Sequence, residues 1–353
     1  MKKLLLVAAL VIGLIAAVPV AAQAEEAPKK IGISMYTQRT EFYMAMSSTV
    51  EKLCEERGWE CTTLSADMDL TKEMENMEAL VTQGVDLIFM EPLQIEGSAA
   101  AAQLAVDAGI PVICFDSAID PSVPAVTNVY ADNFANGVLV GKWVADEYFK
   151  DKEIHAIVMH GVAGLEPCVQ RARGVIAGLL AARAGLSDEE AAELAIEVDD
   201  EAVNNGSAYN EAANLYIDAS GYDEGLTDTA LQLTEDFLNA NHDVNLIIAN
   251  NDDAGYGSIQ AVENLGLEDQ IICVGAADAR KGTLDGMMND PDYLYKAIGL
   301  NIPAKVAETA FGIAEQILVD GADPTSFDWV TNTEAVCINA ANAEEFYDPD
   351  ALF

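Results

Sequence analysis

Residues 84–116 read GVDLIFMEPLQIEGSAAAAQLAVDAGIPVICFD, and this stretch decides the fold. Asp86–Met90 and Pro111–Phe115 are short apolar runs of strand length, each preceded by a helix-stopping glycine, Gly84 or Gly109. Between them, Ile95–Ala108 reads as a helix. Strand, helix and strand in such quick succession make a βαβ unit, with parallel strands and a right-handed crossover.

The same rhythm extends in both directions. Upstream lie strand Ile31–Met35, helix Glu41–Arg57, strand Glu60–Leu64 and helix Leu70–Gln83. In Glu41–Arg57, Phe42, Ala45, Met46, Val50 and Leu53 recur at helical spacing, and Gly58 stops the helix. Downstream come helix Asn133–Phe149, strand Ile154–His160, helix Cys168–Ala184, strand Asn214–Asp218, helix Glu224–Ala240, strand Asn245–Ala249, helix Ala254–Leu265 and strand Gln270–Val274. Strand Leu294–Gly299, helix Pro303–Val319 and a last stretch from Phe327 to Ile338 follow. Gly185–Gly206 break the rhythm; acidic, with a short helix opening at Ser187–Glu190, they read as a surface insertion. A chain of 353 residues, 51% hydrophobic, exceeds one ordinary core. The expectation is therefore α/β, with two doubly wound parallel-sheet lobes.

Lys2 and Lys3, the apolar run Leu4–Ala17 and the small-x-small site Ala22-Gln23-Ala24 form a secretory signal peptide over residues 1–24, cleaved after Ala24. Cys54 is the first cysteine, so no lipid attachment site adjoins the cleavage point, and a free, soluble periplasmic protein is expected. The formal charge of −41 becomes −43 when Lys2 and Lys3 leave with the leader. Such a surface repels nucleic acid and anionic headgroups. The six cysteines show no C-x-x-C pair and no Cys/His cluster, so neither a zinc site nor a redox motif is supported. Cys54 and Cys61 flank the turn at Gly58, where a disulfide and a pair of free thiols are both open.

Several motifs, in order, resemble the type I periplasmic sugar-binding proteins of ABC transporters, the ribose- and galactose-binding class. These are Tyr36-Thr37 followed by Phe42-Tyr43; Asp86–Pro92; Ile110–Asp116; Tyr130-Ala-Asp-Asn133 with Gly137 and Gly141; Gly161–Gly164 with Gln170-Arg-Ala-Arg-Gly174; Ala249-Asn-Asn-Asp252; Val274–Asp278; and Asn301-Ile-Pro303. The resemblance implies two lobes joined by a three-crossing hinge, with the ligand in the cleft between them. It places residues 31–132 with 302–328 in the first lobe and 133–301 with 329–353 in the second. The crossings would fall near Tyr130–Asn133, Gly299–Pro303 and Phe327–Thr331. It also implies a permease partner, a small polar ligand such as a monosaccharide, and ligand contacts from Asp116, Arg171 and Asn301.

The chemistry of the residues agrees. Ligands of doubly wound sheets bind beyond the carboxyl ends of the strands, where Tyr36, Glu91, Asp116, Ser117, Asn251 and Asp278 fall. Carboxylates and amides accept from polyol hydroxyls, and Arg171 donates from a planar fork. Tyr36, Phe42, Tyr43 and Tyr222 offer faces to a sugar ring's C–H patches. Ser117 stands where ribose binders carry Arg and Glu91 where an amide is common, which argues against simple ribose specificity. A cleft enzyme is the alternative, but no G-x-S-x-G or G-x-x-x-x-G-K-[ST] motif occurs. The three histidines are not spaced as a metal pair, so no metal or cofactor is expected. A regulator's effector domain would need a DNA-binding head in place of the leader. A sensor that presents its closed form to a chemoreceptor remains compatible with the same fold. The protein is expected to be monomeric.

Overall fold

The computed structural model describes residues 27–353; the leader expected over residues 1–24 lies outside them. The chain opens with strand β1 (Lys30–Met35), helix α1 (Glu41–Arg57), β2 (Glu60–Ser65), α2 (Leu70–Gln83), β3 (Leu87–Met90), α3 (Ala99–Asp107), β4 (Val112–Phe115) and β5 (Thr127–Tyr130). It then crosses over and continues as α4 (Asn133–Tyr148), β6 (Ile154–Met159), α5 (Glu166–Ala184), α6 (Asp188–Asn205), β7 (Ala208–Asn210), β8 (Leu215–Gly221), α7 (Thr227–Ala240), β9 (Leu246–Ala249), α8 (Asp252–Leu265), β10 (Ile272–Gly275), α9 (Lys281–Asn289) and β11 (Tyr295–Gly299). A return crossing leads to α10 (Pro303–Leu318) and β12 (Val330–Asn332), and a third to β13 (Cys337–Asn339).

The first sheet has strand order β12-β5-β4-β3-β1-β2 and is parallel throughout. The second runs β13-β11-β10-β9-β6-β8-β7, parallel except for its two edge strands, β13 and β7. Each sheet is covered on both faces. Separate apolar clusters centred on Phe89–Phe311 and Met77–Ile88 flank the first. Clusters centred on Val175–Leu215 and Ile247–Tyr295 flank the second. This is the doubly wound, two-lobe architecture expected from the βα rhythm.

The structure corrects the expected surface insertion at Gly185–Gly206. Ser187 and Glu190 form a reciprocal capping box, and α6 then runs eighteen residues. Ala191, Ala195, Val198 and Ala202 bury one stripe of it in the second lobe's core. The acidic outer face masks that stripe in the sequence. The last stretch also divides differently. β12 pairs with β5, pinned by Thr127 Oγ1 to Thr331 Oγ1 at 2.9 Å and by Asn128 Nδ2 donating to Trp329 O. The chain therefore stays with the first sheet through Asn332, past the expected boundary at 328, and crosses at 333–336 instead of at Phe327–Thr331.

Asp69 is the N-cap of α2, accepting from Thr71 N at 2.7 Å. Cys54 and Cys61 are free thiols, and their interaction raises the Cys54 pKa and lowers that of Cys61. Among the described residues, no helix is long and apolar enough to cross a membrane.

Candidate functional site

The first sheet brings three expected residues side by side, because β4, β3 and β1 are neighbours and all point the same way. Asp116, Glu91 and Tyr36 follow their carboxyl ends in that order. Asp116 has φ +61° and its amide donates to Val129 O at 2.8 Å. An L-residue held in the left-handed region carries strain that persists where the surroundings fix it, as at ligand clamps. Burial pushes its carboxyl up to about 6, opposed by Arg171 and assisted by Asp278. Glu91 is fully buried, and neither carboxylate oxygen has a hydrogen-bond partner among the described residues. Burial first, then Asp116 and Glu73, raise its pKa well above the usual range. Ser117 is half-buried beside Asp116. Tyr43 packs edge-on to Tyr36 at 4.8 Å and to Phe42 at 5.3 Å, forming an aromatic bank at the start of α1.

The second lobe supplies the cation. Arg171, on α5, donates from Nε to Asn133 Oδ1 at 2.7 Å, and its Nη2 lies 3.5 Å from Asp278 Oδ1. Arg173 turns away instead, toward Asp199 and Asp200 on α6. Asn301, at the second crossing, donates from Nδ2 to Asp278 Oδ1 at 2.8 Å. Asn251 caps α8, its Oδ1 accepting from Ala254 N at 2.9 Å, which leaves its amide nitrogen for other partners. Asp252 and Asp253 begin the helix proper. Tyr222 is 40% exposed and its ring lies 5.3 Å from His160. The second-lobe ring that meets Phe42 is Phe353, at 5.2 Å.

Sequence reasoning missed three supports. Asn133 orients Arg171. Asn250 is buried, donating to His160 O and Cys168 O, with its Oδ1 3.5 Å from Arg171 Nη1. Asp252 is fully buried and accepts from the amides of Asp278, Ala279 and Arg280 at 2.9–3.2 Å, fixing the loop that carries Asp278. An Asp beginning a helix is an ordinary capping signal, so its sequence gave no warning of this second task. Among the described residues, no group of three His, Cys, Asp or Glu side chains gathers as a metal site.

The profile of the "Periplasmic binding protein domain" family matches residues 31–322. The chain belongs to this family. Members of this family are binding proteins, so the expectation of a binding protein, and not an enzyme, holds. This family member is 25% identical to the galactofuranose-binding protein of Escherichia coli (strain K12), over 92% of this chain and 91% of that protein. It is 23% identical to the ribose import binding protein of Bacillus subtilis (strain 168), over 82% of this chain and 81% of that one. Among solved structures, the periplasmic ribose ABC transporter protein of Conexibacter woesei superposes with a TM-score of 0.70 at 19% identity, covering 91% of this chain and 95% of that chain. The Caulobacter myo-inositol binding protein, bound to myo-inositol, gives 0.66 at 23%, covering 91% and 97%. Both structural matches show the two-lobe fold.

Proposed function

We propose that the chain captures a sugar or related polyol between its lobes and delivers it to an ABC importer. One observation carries this reading: Asp116 at a first-lobe strand end and Asp278 at a second-lobe strand end both lie within the field of Arg171. Acceptors from two lobes around a fixed donor suit a molecule whose hydroxyls both donate and accept. Tyr36, Phe42, Tyr43, Glu91, Asp116 and Ser117 contact it from the first lobe. Arg171, Tyr222, Asn251, Asp278 and Asn301 do so from the second. Binding proteins for galactofuranose, ribose and myo-inositol among the similar proteins support the ligand class. Each lobe alone satisfies half of the ligand, so ligand favours the closed form, which the permease would recognise. The mature chain begins at Glu25 and works as a soluble monomer.

A thermal-shift screen of monosaccharides, cyclitols, amines and nucleosides tests the reading. A ligand at 100 times its Kd stabilises by roughly 2.7 kcal/mol, and small-angle scattering should then show a smaller radius of gyration. Stabilisation only by amines or nucleosides, or recovery of a chemically altered ligand, would overturn it.

A further inference from the structure

We infer that Phe353 is a latch: carried by the second lobe, it meets Phe42 of the first across the cleft mouth and favours the closed arrangement. The inference rests on the closure reading above. The two rings stand perpendicular, at 90°, with centroids 5.2 Å apart, and Phe353 is only 7% exposed. Its segment is anchored to the second lobe independently of that contact. Lys281 Nζ donates to Ala351 O at 2.7 Å and lies 3.3 Å from Pro349 O. The Arg280 guanidinium sits 4.9 Å from the Phe353 ring centroid, held in turn by Asp253 at 3.3 Å.

Arg280 belongs to the loop that Asp252 fixes, so the latch and Asp278 ride on one support. On the opposite side, Phe42 leans on Tyr43 and Tyr43 on Tyr36, giving an unbroken run of rings from the end of β1 to the second lobe. Phe42 and Phe353 are carried by different lobes, so separating the lobes breaks their contact. An interaction made only in the closed form raises the fraction of molecules competent to bind.

The test compares wild type, F42A, F353A and the double variant by calorimetry, with D-ribose, D-allose, D-galactose and myo-inositol as titrants. Small-angle scattering without titrant and urea unfolding accompany it. F353A should weaken binding of whichever titrant binds wild type, F353W should restore part of the loss, and the F42A–F353A coupling should be about two- to tenfold in Kd. F353A should also enlarge the titrant-free radius of gyration. A lowered urea midpoint with unchanged Kd and radius would make Phe353 a core residue of the second lobe and end the latch assignment. If no titrant binds wild type, the sugar reading has failed, and the latch stands or falls on the radius alone.

Discussion

On the proposed reading, Asp116 is the residue on which binding and proton uptake meet. Its folded pKa of about 6 lies above the ordinary carboxylate value of 3.8, chiefly because it is buried, with Arg171 opposing and Asp278 adding to the rise. Ionising it in the empty cleft therefore costs folding energy. That cost is absent below about pH 4 and fully present above about pH 6, so its contribution to stability falls as pH rises through that window. A hydroxyl donor prefers the carboxylate, so affinity runs the opposite way. We expect ligand Kd to be about tenfold weaker at pH 5 than at pH 7.5, and Asp116→Asn to flatten that profile, both readable by calorimetry. Asp116→Ala should raise Kd about ten- to a hundredfold without lowering the unfolding midpoint at neutral pH, because it removes the cost of ionising the carboxyl. An unchanged Kd would remove Asp116 from the site. These strand-end positions were legible because a doubly wound sheet dictates where its ligands go. The partners that hold Arg171 and Asp278 were not, since Asn133, Asn250 and Asp252 converge only through tertiary packing.

Among the elements, α4 and α5 show what close packing demands. Gly137 and Gly141 on one helix face Gly174 and Gly178 on the other, so the backbones touch. A Cβ on Gly141 would stand 2.2 Å from Val175 O, and one on Gly178 2.3 Å from Val138 O. Backbone cannot step aside as a flexible side chain can. Gly141→Ala should therefore destabilise by about 1–3 kcal/mol in urea unfolding, despite alanine's better helix propensity. Gly312 in α10 has nothing within 4 Å of its would-be Cβ. There the propensity term acts unopposed, and Gly312→Ala should stabilise by about 0.5–1 kcal/mol. If both substitutions moved stability in the same direction, the packing explanation would fail. The winding of alternating strands and helices was readable from glycine stops and apolar runs. α6 was not, because small alanines make a weak stripe inside an acidic segment. β12 and β13 were not separable either: strands of three residues carry too little alternation to mark which sheet each joins.

At the scale of the whole molecule, the three crossings are tied together by one side chain that sequence reasoning passed over. Asn136 lies in the first turn of α4, just beyond the first crossing, and is fully buried. Its Nδ2 donates to Leu300 O of the second crossing at 2.8 Å, and its Oδ1 accepts from Val336 N of the third at 2.8 Å. On the proposed reading, closure would rotate the lobes about these crossings, and groups on the axis would move least. The bonds of Asn136 should persist in open and closed forms alike, while contacts at the cleft exist only when it is shut. That separates two classes of residue by measurement. Asn136→Ala leaves the buried Leu300 carbonyl and the half-buried Val336 amide without these partners, which should cost about 1–3 kcal/mol of stability. Its ligand Kd should remain within about threefold of wild type, because both states of the closure equilibrium lose the same bonds. Asp116→Ala should show the reverse pattern. Urea unfolding and calorimetry on the two variants decide the matter. A large Kd change in a stable Asn136→Ala protein would mean that its bonds differ between open and closed forms, and that the axis does not pass where the three crossings meet.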